Sequence, residues 1–457
     1  MIKIYNPANA ELLQEVSKDN LKSISEKLES LRHGQSSWKN TPIESRLEII
    51  KRFGDIIRNN IEDLASLLSN ETGKPIKQAR NEISGAHNRI DHLLGNANKW
   101  LKPEQIEIEG PTLESITYEP LGVIANISAW NYPYNVGYNV FLYALAAGNG
   151  VLYKPSEYSS LTGLAIAGYL HQAGIPKDVF QCVIGGPEIG QSILDLDLDG
   201  YFFTGSYSTG RYIASQLASK LVPIQLELGG KDPLYVMDDV TDIKQAAINA
   251  AEGSFYNAGQ SCCAVERIYV SDKIYDDFIG SFVEEVASYK IGNPLTEATF
   301  IGPLTRSAQL DVLKEQVDEA QMKGANVVLG GQPIEGPGNY FQPTVVIDTD
   351  HTMRIMKEES FGPVIGIQKV TSDDEAISLM NDSDYGLTAA VFGTNEKRVY
   401  NILNSMNSGT VYWNCCDRVS PNLPWSGRKN SGLGSTLASQ GIRAFVQPKS
   451  YHIRRPG

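Results

Sequence analysis

Histidine and cysteine are scarce in this chain. The six histidines are scattered, and the five cysteines, two pairs of them adjacent at Cys262-Cys263 and Cys415-Cys416, show none of the spacings of a zinc site, so no metal is expected. An odd, sparse set of thiols is not a disulfide framework. It suits a reducing cytoplasm, with Cys182, Cys415 and Cys416 expected as small core residues. No run approaches the roughly 20 apolar residues of a membrane span. The start, Met1-Ile2-Lys3-Ile4-Tyr5-Asn6-Pro7, has neither a secretory apolar stretch nor an Arg-rich leader. A basic stripe is also missing, and the formal charge is −13, so nucleic acid is not an expected partner. No internal repeat or low-complexity linker is visible. What is present is 457 residues, 42% of them hydrophobic, which is enough for two or three domains of roughly 100–200 residues each.

Periodicity divides the chain. The first 100 residues read as helices: Ile43, Leu47, Ile50 and Ile57 fall near one face, and Ile61–Leu68 and Ile76–Leu94 continue the pattern. From Trp100 to Glu119, Ile106, Ile108, Leu113, Ile116 and Tyr118 partly alternate with polar residues and predict strands. Then short apolar runs alternate with helical stretches: Gly122–Ile127, Gly150–Tyr153, Val179–Ile184, Tyr201–Thr204 and Pro223–Leu228. A helix over Leu161–Ala173 is stopped by Gly174-Ile175-Pro176. A second such region has strands at Arg267–Val270, Asn326–Leu329, Thr344–Ile347, Gly386–Phe392 and Gly409–Tyr412, with helices at Lys273–Ser288 and Leu310–Lys323. The tail Ala444–Arg454 reads as a strand. Strand–helix alternation predicts α/β architecture with parallel sheets covered on both faces.

Three runs carry the chemistry. They are Trp130-Asn131-Tyr132-Pro133, Gln225-Leu226-Glu227-Leu228-Gly229-Gly230-Lys231, and Phe255-Tyr256-Asn257-Ala258-Gly259-Gln260-Ser261-Cys262-Cys263. Together with Glu71-Thr72-Gly73-Lys74-Pro75, Glu358-Glu359-Ser360-Phe361-Gly362-Pro363 and Ser431-Gly432-Leu433-Gly434, they resemble the aldehyde dehydrogenase superfamily in order, across nearly the whole chain. An aldehyde does not readily surrender its hydrogen as hydride until a thiolate has made its carbon a tetrahedral oxyanion. Water must then cleave the resulting thioester. The reaction needs a nucleophile, an oxyanion donor, a hydride acceptor and a base. Cys262 fits the nucleophile. Cys263 competes on residue type alone, and the Gly-Gln-X spacing of the superfamily selects Cys262. Glu227, at the end of a strand-like run, fits the base, with a pKa raised by partial removal from water. Asn131 fits the oxyanion donor, together with the Cys262 backbone N–H.

No Gly-x-Gly-x-x-Gly fingerprint appears. Instead Phe203-Thr204-Gly205-Ser206 passes from a strand into a helix, which suits a pyrophosphate at a helix N-terminus and marks Gly205 and Ser206 as cofactor residues. The resemblance implies more. Lys154 and Glu157 meet the adenosine ribose, with Glu157 favouring NAD while NADP stays possible. Glu359, Phe361 and Trp130 hold the nicotinamide end. Two doubly wound parallel-sheet domains are implied, a Rossmann-like cofactor domain (1–98 and 121–228) and a catalytic domain (229–436). A small β bridging element (99–120 and 437–457) would pair subunits into a homodimer or homotetramer.

By motif position Tyr132, Tyr256, Asp417 and Trp425 line the substrate entrance. Aromatic faces and Asp417 point to an amino-aldehyde or a betaine-type aldehyde. Arg418 points instead to succinate semialdehyde. Asn139 stands where some relatives carry a further aromatic, the basic residue and proline common near 140 and 143 are absent, and no Arg-Glu pair follows Gly434. Three rival functions remain: a coenzyme-A-acylating aldehyde dehydrogenase, which usually lacks the Glu227 base; a cysteine hydrolase, which needs a histidine that no motif contains; and a non-catalytic protein on the same scaffold.

Overall fold

The computed structural model describes residues 1–106 and 112–454; Ile108 lies outside them. In a six-stranded sheet, Phe180–Cys182, Gly150–Lys154, Val123–Ile127, Gly200–Thr204 and Ile224–Glu227 lie side by side and parallel. In chain order these are the third, second, first, fourth and fifth strands, the doubly wound arrangement whose order reverses beside Val123–Ile127. Every residue of Val123–Ile127 and Gly150–Lys154 is buried, so these strands read as continuous apolar runs rather than alternating ones. Helix Pro133–Ala147 connects them. It starts with proline at its first turn, where no N–H partner is lost, and stops at left-handed Gly148. Helices Ile43–Asn59, Ile61–Thr72 and Ile76–Trp100 pack on that face through Ile50, Phe53, Ile83, Ile90 and Leu93.

The second sheet has seven strands. Asp232–Val236 lies near its centre, between Val265–Ser271 and Thr388–Phe392. Thr410–Trp413 closes one side, and Val364–Val370, Thr344–Ile347 and Asn326–Leu329 close the other. All its pairings are parallel except the last. Gly432–Leu433 falls within the 229–436 range expected for this region, yet it joins the six-stranded sheet, antiparallel, with Gly432 opposite Glu227. A third sheet joins Glu104–Ile106, Thr112–Pro120 and Val446–Arg454, with partners running from Val446 opposite Pro120 to Arg454 opposite Thr112. Among the described residues no helix is long and apolar enough to cross a membrane.

The α/β class with parallel sheets is as expected, and four local expectations change. The first 100 residues are not all helical, because Ile2–Tyr5 and Leu12–Val16 form an antiparallel hairpin. Both strands are largely exposed, so burial imposes little alternation on them. Asp232–Val236 was not expected as a strand. Pro233 reads as a breaker, and the ladder absorbs it with a register shift at Asp232/Pro233. Val364–Val370 was likewise missed, masked by the Gly362-Pro363 turn before it. Cys415, expected in the core, is exposed, whereas Cys416 is buried.

Candidate active site

A cavity of about 880 Å³ opens beyond the carboxyl ends of the central strands of the six-stranded sheet, and Cys262, Glu227 and Asn131 all reach its wall. Cys262 is presented by an unusual turn. After helix Ile243–Phe255, Asn257 (φ 55°), Ala258 (φ 53°) and Gly259 (φ 71°) are all left-handed. Each non-glycine residue there costs roughly 1–2 kcal/mol, so neighbours must hold the turn. Asn257 Nδ2 donates to the Gln260 carbonyl (3.1 Å), and Gln260 Nε2 returns a bond to the Asn257 carbonyl (3.1 Å). Gln260 Oε1 accepts from the Thr305 N–H (3.0 Å), and Gln78 Oε1 accepts from the Asn257 N–H (2.9 Å). Gly259 has no alternative, since a Cβ there would stand 2.2 Å from the Gly362 carbonyl oxygen. Asn257 and Gln260 therefore act as scaffolding for the turn.

The adjacent thiols differ. Cys262 is partly exposed to the cavity. Cys263 is 4% exposed, packs in the apolar core, and donates to Asp417 Oδ1 at 3.0 Å. Its bond with Cys262, burial and the Asp417 carboxylate push its pKa well up, so it stays a thiol.

Asn131 sits in the turn between strand Val123–Ile127 and helix Pro133–Ala147. Its Nδ2 spends one proton on the Gln260 carbonyl (3.1 Å), which leaves the second available. Its carbonyl accepts from Lys74 Nζ (2.7 Å), Lys74 is paired with Glu82, and Glu82 Oε1 accepts from the Tyr134 N–H (3.0 Å). Burial lowers the Lys74 pKa and the Glu82 carboxylate opposes that shift. Such a buried pair adds little net stability but is costly to split; here it clamps the turn that carries Asn131. Glu227 ends its strand with its carboxyl buried. Burial pushes its pKa up to about 8, and the Gln225 amide, 3.4 Å from Oε1, pulls the other way.

On the nucleotide side, Glu359 Oε1 accepts from the Gly230 N–H (3.0 Å), and burial followed by the Glu266 charge raises its pKa. Phe361 is left-handed (φ 48°) and is held by its N–H bond to Glu266 Oε1 (2.9 Å); the Ser360 N–H takes Glu266 Oε2 (2.8 Å). Lys231 pairs with that same carboxylate at 2.8 Å. The rings of Trp130 and Phe361 meet edge to face at 5.6 Å. Gly205 and Ser206 also line the cavity, and Ser206 caps helix Tyr207–Leu217 by accepting from the Thr209 N–H (3.4 Å). Lys154 and Glu157 lie 3.9 Å apart at the end of strand Gly150–Lys154, outside the wall that holds Cys262. These residues fit a dinucleotide laid across the strand ends. The helix N-terminus after Gly205 suits phosphates, and Gly229 leaves Glu359 room that a Cβ, 2.1 Å from its Oε1, would fill.

Tyr132, Tyr256, Asp417 and Trp425 all reach the cavity. One face of the Tyr132 ring already carries the Lys74 ammonium, 3.7 Å from its centroid. The Tyr256 hydroxyl accepts from Asn81 (3.1 Å). Asp417 accepts from Ser261 Oγ and Cys263 Sγ, both at 3.0 Å, and burial raises its pKa. Several roles here were not assigned from sequence: Lys74, Glu82 and Glu266 as clamps, and Arg89 in the cavity wall with Asn139 as its partner. Arg89 had a signal, because it interrupts the buried helical series Ala86, Ile90, Leu93 with a charge.

Two mainly parallel sheets, with a cavity at the strand ends that gathers a thiol, carboxyls and amides, define an α/β enzyme. The sequence matches the model of the Aldehyde dehydrogenase family over residues 1–451. An aldehyde dehydrogenase from Emericella nidulans is 34% identical over 456 residues, spanning 99% of this chain and 91% of that protein. A crystal structure described as an E. coli NADP dependent enzyme superposes with TM-score 0.97 at 30% identity, covering 99% of this chain and 95% of that one. The betaine aldehyde dehydrogenase of Staphylococcus aureus, in complex with NAD+, has TM-score 0.95 at 31% identity, covering 99% of this chain and 91% of that one. The chain belongs to the aldehyde dehydrogenase family. It is an enzyme, an NAD(P)-dependent aldehyde dehydrogenase.

Proposed function

We propose that the protein oxidises an aldehyde to the carboxylic acid with NAD+ through a thioester on Cys262. The supporting observation is the convergence of the Cys262 thiol, the Asn131 amide and the Glu227 carboxyl on one cavity. Cys262 attacks as the thiolate, its sulfur bonding to the carbonyl carbon as the C=O π pair moves onto oxygen. Asn131 Nδ2 and the Cys262 backbone N–H donate to that oxyanion. A bound NAD+ supplies hydride acceptance, which leaves Cys262 as a thioester. Glu227, deprotonated, takes a proton from water as the water oxygen bonds to the acyl carbon, and the Cys262 thiolate departs with the C–S pair.

Lys154 and Glu157 hold the adenosine ribose, Gly205 and Ser206 the pyrophosphate, and Trp130, Glu359 and Phe361 the nicotinamide end. The Glu157 carboxylate favours a ribose 2′-hydroxyl over a 2′-phosphate. NAD+ is bound in the Staphylococcus aureus relative, while the E. coli neighbour is described as NADP dependent. Residues 1–98 and 121–228 form the cofactor domain, 229–436 the catalytic domain apart from its 432–433 strand, and 99–120 with 437–457 the bridging element. Edge strand Val446–Arg454 is mostly exposed, and an edge of this length calls for cover. A second copy of the chain is the cover proposed, in a homodimer or homotetramer. The cation box drawn from Tyr132, Tyr256 and Trp425, with Asp417 adding negative charge, gains little support, because Lys74 holds one face of Tyr132 and Asp417 is engaged by Ser261 and Cys263.

Absorbance at 340 nm is the test. NADH must form with aldehyde and NAD+ in the absence of coenzyme A. A requirement for coenzyme A identifies the acylating alternative, and ester hydrolysis without NADH identifies a cysteine hydrolase.

A further inference from the structure

Arg89 is a buried cation that the chemistry above does not use. It lies on the inward face of helix Ile76–Trp100, is 8% exposed, and lines the same cavity as Cys262. A guanidinium has five N–H donors in a rigid fork. Among the described residues one partner meets it: the Asn139 side-chain oxygen, 2.5 Å from Nη1, on helix Pro133–Ala147. That partner is neutral. No carboxylate of the described residues lies within ion-pair distance of Arg89.

Two of the acidic groups in the wall are already engaged. Glu82 is paired with Lys74 and accepts from the Tyr134 N–H. Asp417 accepts from Ser261 and Cys263. Burial pushes the Arg89 pKa down to about 10, which leaves it charged at neutral pH. Tyr143 and then the Glu82 carboxylate oppose that shift. Glu82 is committed to Lys74, and a buried charge with no carboxylate bonded to it is expensive unless a ligand completes it. Elsewhere the wall carries both signs, with Glu227, Glu252 and Glu359 among its acids and Arg306 and the exposed Arg418 among its bases, so the selection falls to Arg89 itself.

We infer that the substrate is an aldehyde with a carboxylate at its far end, which Arg89, aimed by Asn139, holds while the carbonyl lies at Cys262. This deepens the aldehyde oxidation proposed above and rests on it. The unpaired donors of the fork match the two oxygens of a carboxylate, and the neutral Asn139 orients the guanidinium without neutralising it. An ammonium in the same place would face the like charge of Arg89.

The test measures NADH formation by the full-length protein with NAD+ and aldehydes of matched chain: butanal, 4-aminobutanal, succinate semialdehyde and the five-carbon glutarate semialdehyde. The better carboxylate aldehyde is expected to exceed butanal in kcat/KM by roughly 10–100-fold, the scale of one charge-assisted contact, with 4-aminobutanal below butanal. In Arg89→Gln the carboxylate-to-butanal ratio is expected to fall toward one, mainly through KM, and Arg89→Lys is expected to restore part of it. Equal kcat/KM for butanal and both semialdehydes in the wild type overturns the proposal without any variant. A preference that survives in a folded Arg89→Gln overturns the assignment to Arg89. Turnover of butanal distinguishes these failures from that of the underlying reading, because a protein that oxidises none of the four aldehydes refutes both.

Discussion

Cys262 and Asn131 reach the cavity from loops and Glu227 from the last residue of its strand, whereas Arg89 and Asn139 reach it from the interiors of two helices. The first group is held by its own neighbourhood in sequence and by buried clamps: the left-handed turn at 257–259, the Lys74–Glu82 pair under the Asn131 carbonyl, and the glycines around Glu227. Shifting any of these atoms would break several hydrogen bonds at once. The second group occupies ordinary helix positions, where one substitution exchanges a charge for an apolar side chain and leaves the helix intact. Reaction chemistry is thus written in strained, interlocked loops, and substrate choice in single helix positions.

The contrast is sharpest between the two adjacent cysteines. Cys262→Ala is expected to abolish NADH production, while Cys263→Ala, which removes a buried thiol bonded to Asp417, is expected to retain it; a steady-state assay of both variants decides. Next in size, Glu227→Gln should release one stoichiometric burst of NADH and then turn over about 10²–10⁴ times more slowly, the usual scale of a lost general base. Rapid mixing resolves the burst, and normal turnover would place the base elsewhere. Asn131→Ala removes one oxyanion donor and is expected to lower the rate about 10²–10³-fold, or roughly 2.7–4 kcal/mol of barrier. The smallest effect is in pH. Burial raises the Glu227 pKa to about 8, and only its deprotonated form activates water. Where thioester hydrolysis limits turnover, kcat should therefore rise with pH, half-maximal at about 8, and level off above it. The Glu227→Gln variant should lose that limb. A wild-type kcat that is flat through this range would contradict the assignment.

Much of this was legible in the sequence where local pattern and burial agree. Asn326–Leu329 and Thr344–Ile347 have the bounds their apolar runs predict, and the helices beginning at Ile43, Ile61 and Ile76 follow from spacing alone. Cys262, Glu227 and Asn131 stood out because the runs that hold them resemble, in order, those of the aldehyde dehydrogenase superfamily. Other features depended on partners distant in sequence. Asp232–Val236 is a strand despite Pro233 because strands from residues 265–271 and 388–392 flank it. Lys74 looks like a surface lysine until helix Ile76–Trp100 brings Glu82 over it. Arg89 gains its meaning only when helix Pro133–Ala147 places Asn139 against it.

The central claim is that one sulfur carries the acyl group between oxidation and hydrolysis. Intact-mass and peptide spectrometry of the Glu227→Gln variant, quenched after mixing with aldehyde and NAD+, tests it directly. An acyl adduct of the substrate's mass on the peptide bearing Cys262, lost in Cys262→Ala, is the predicted result; NADH released with that sulfur unmodified, or with the adduct on Cys263, would contradict it.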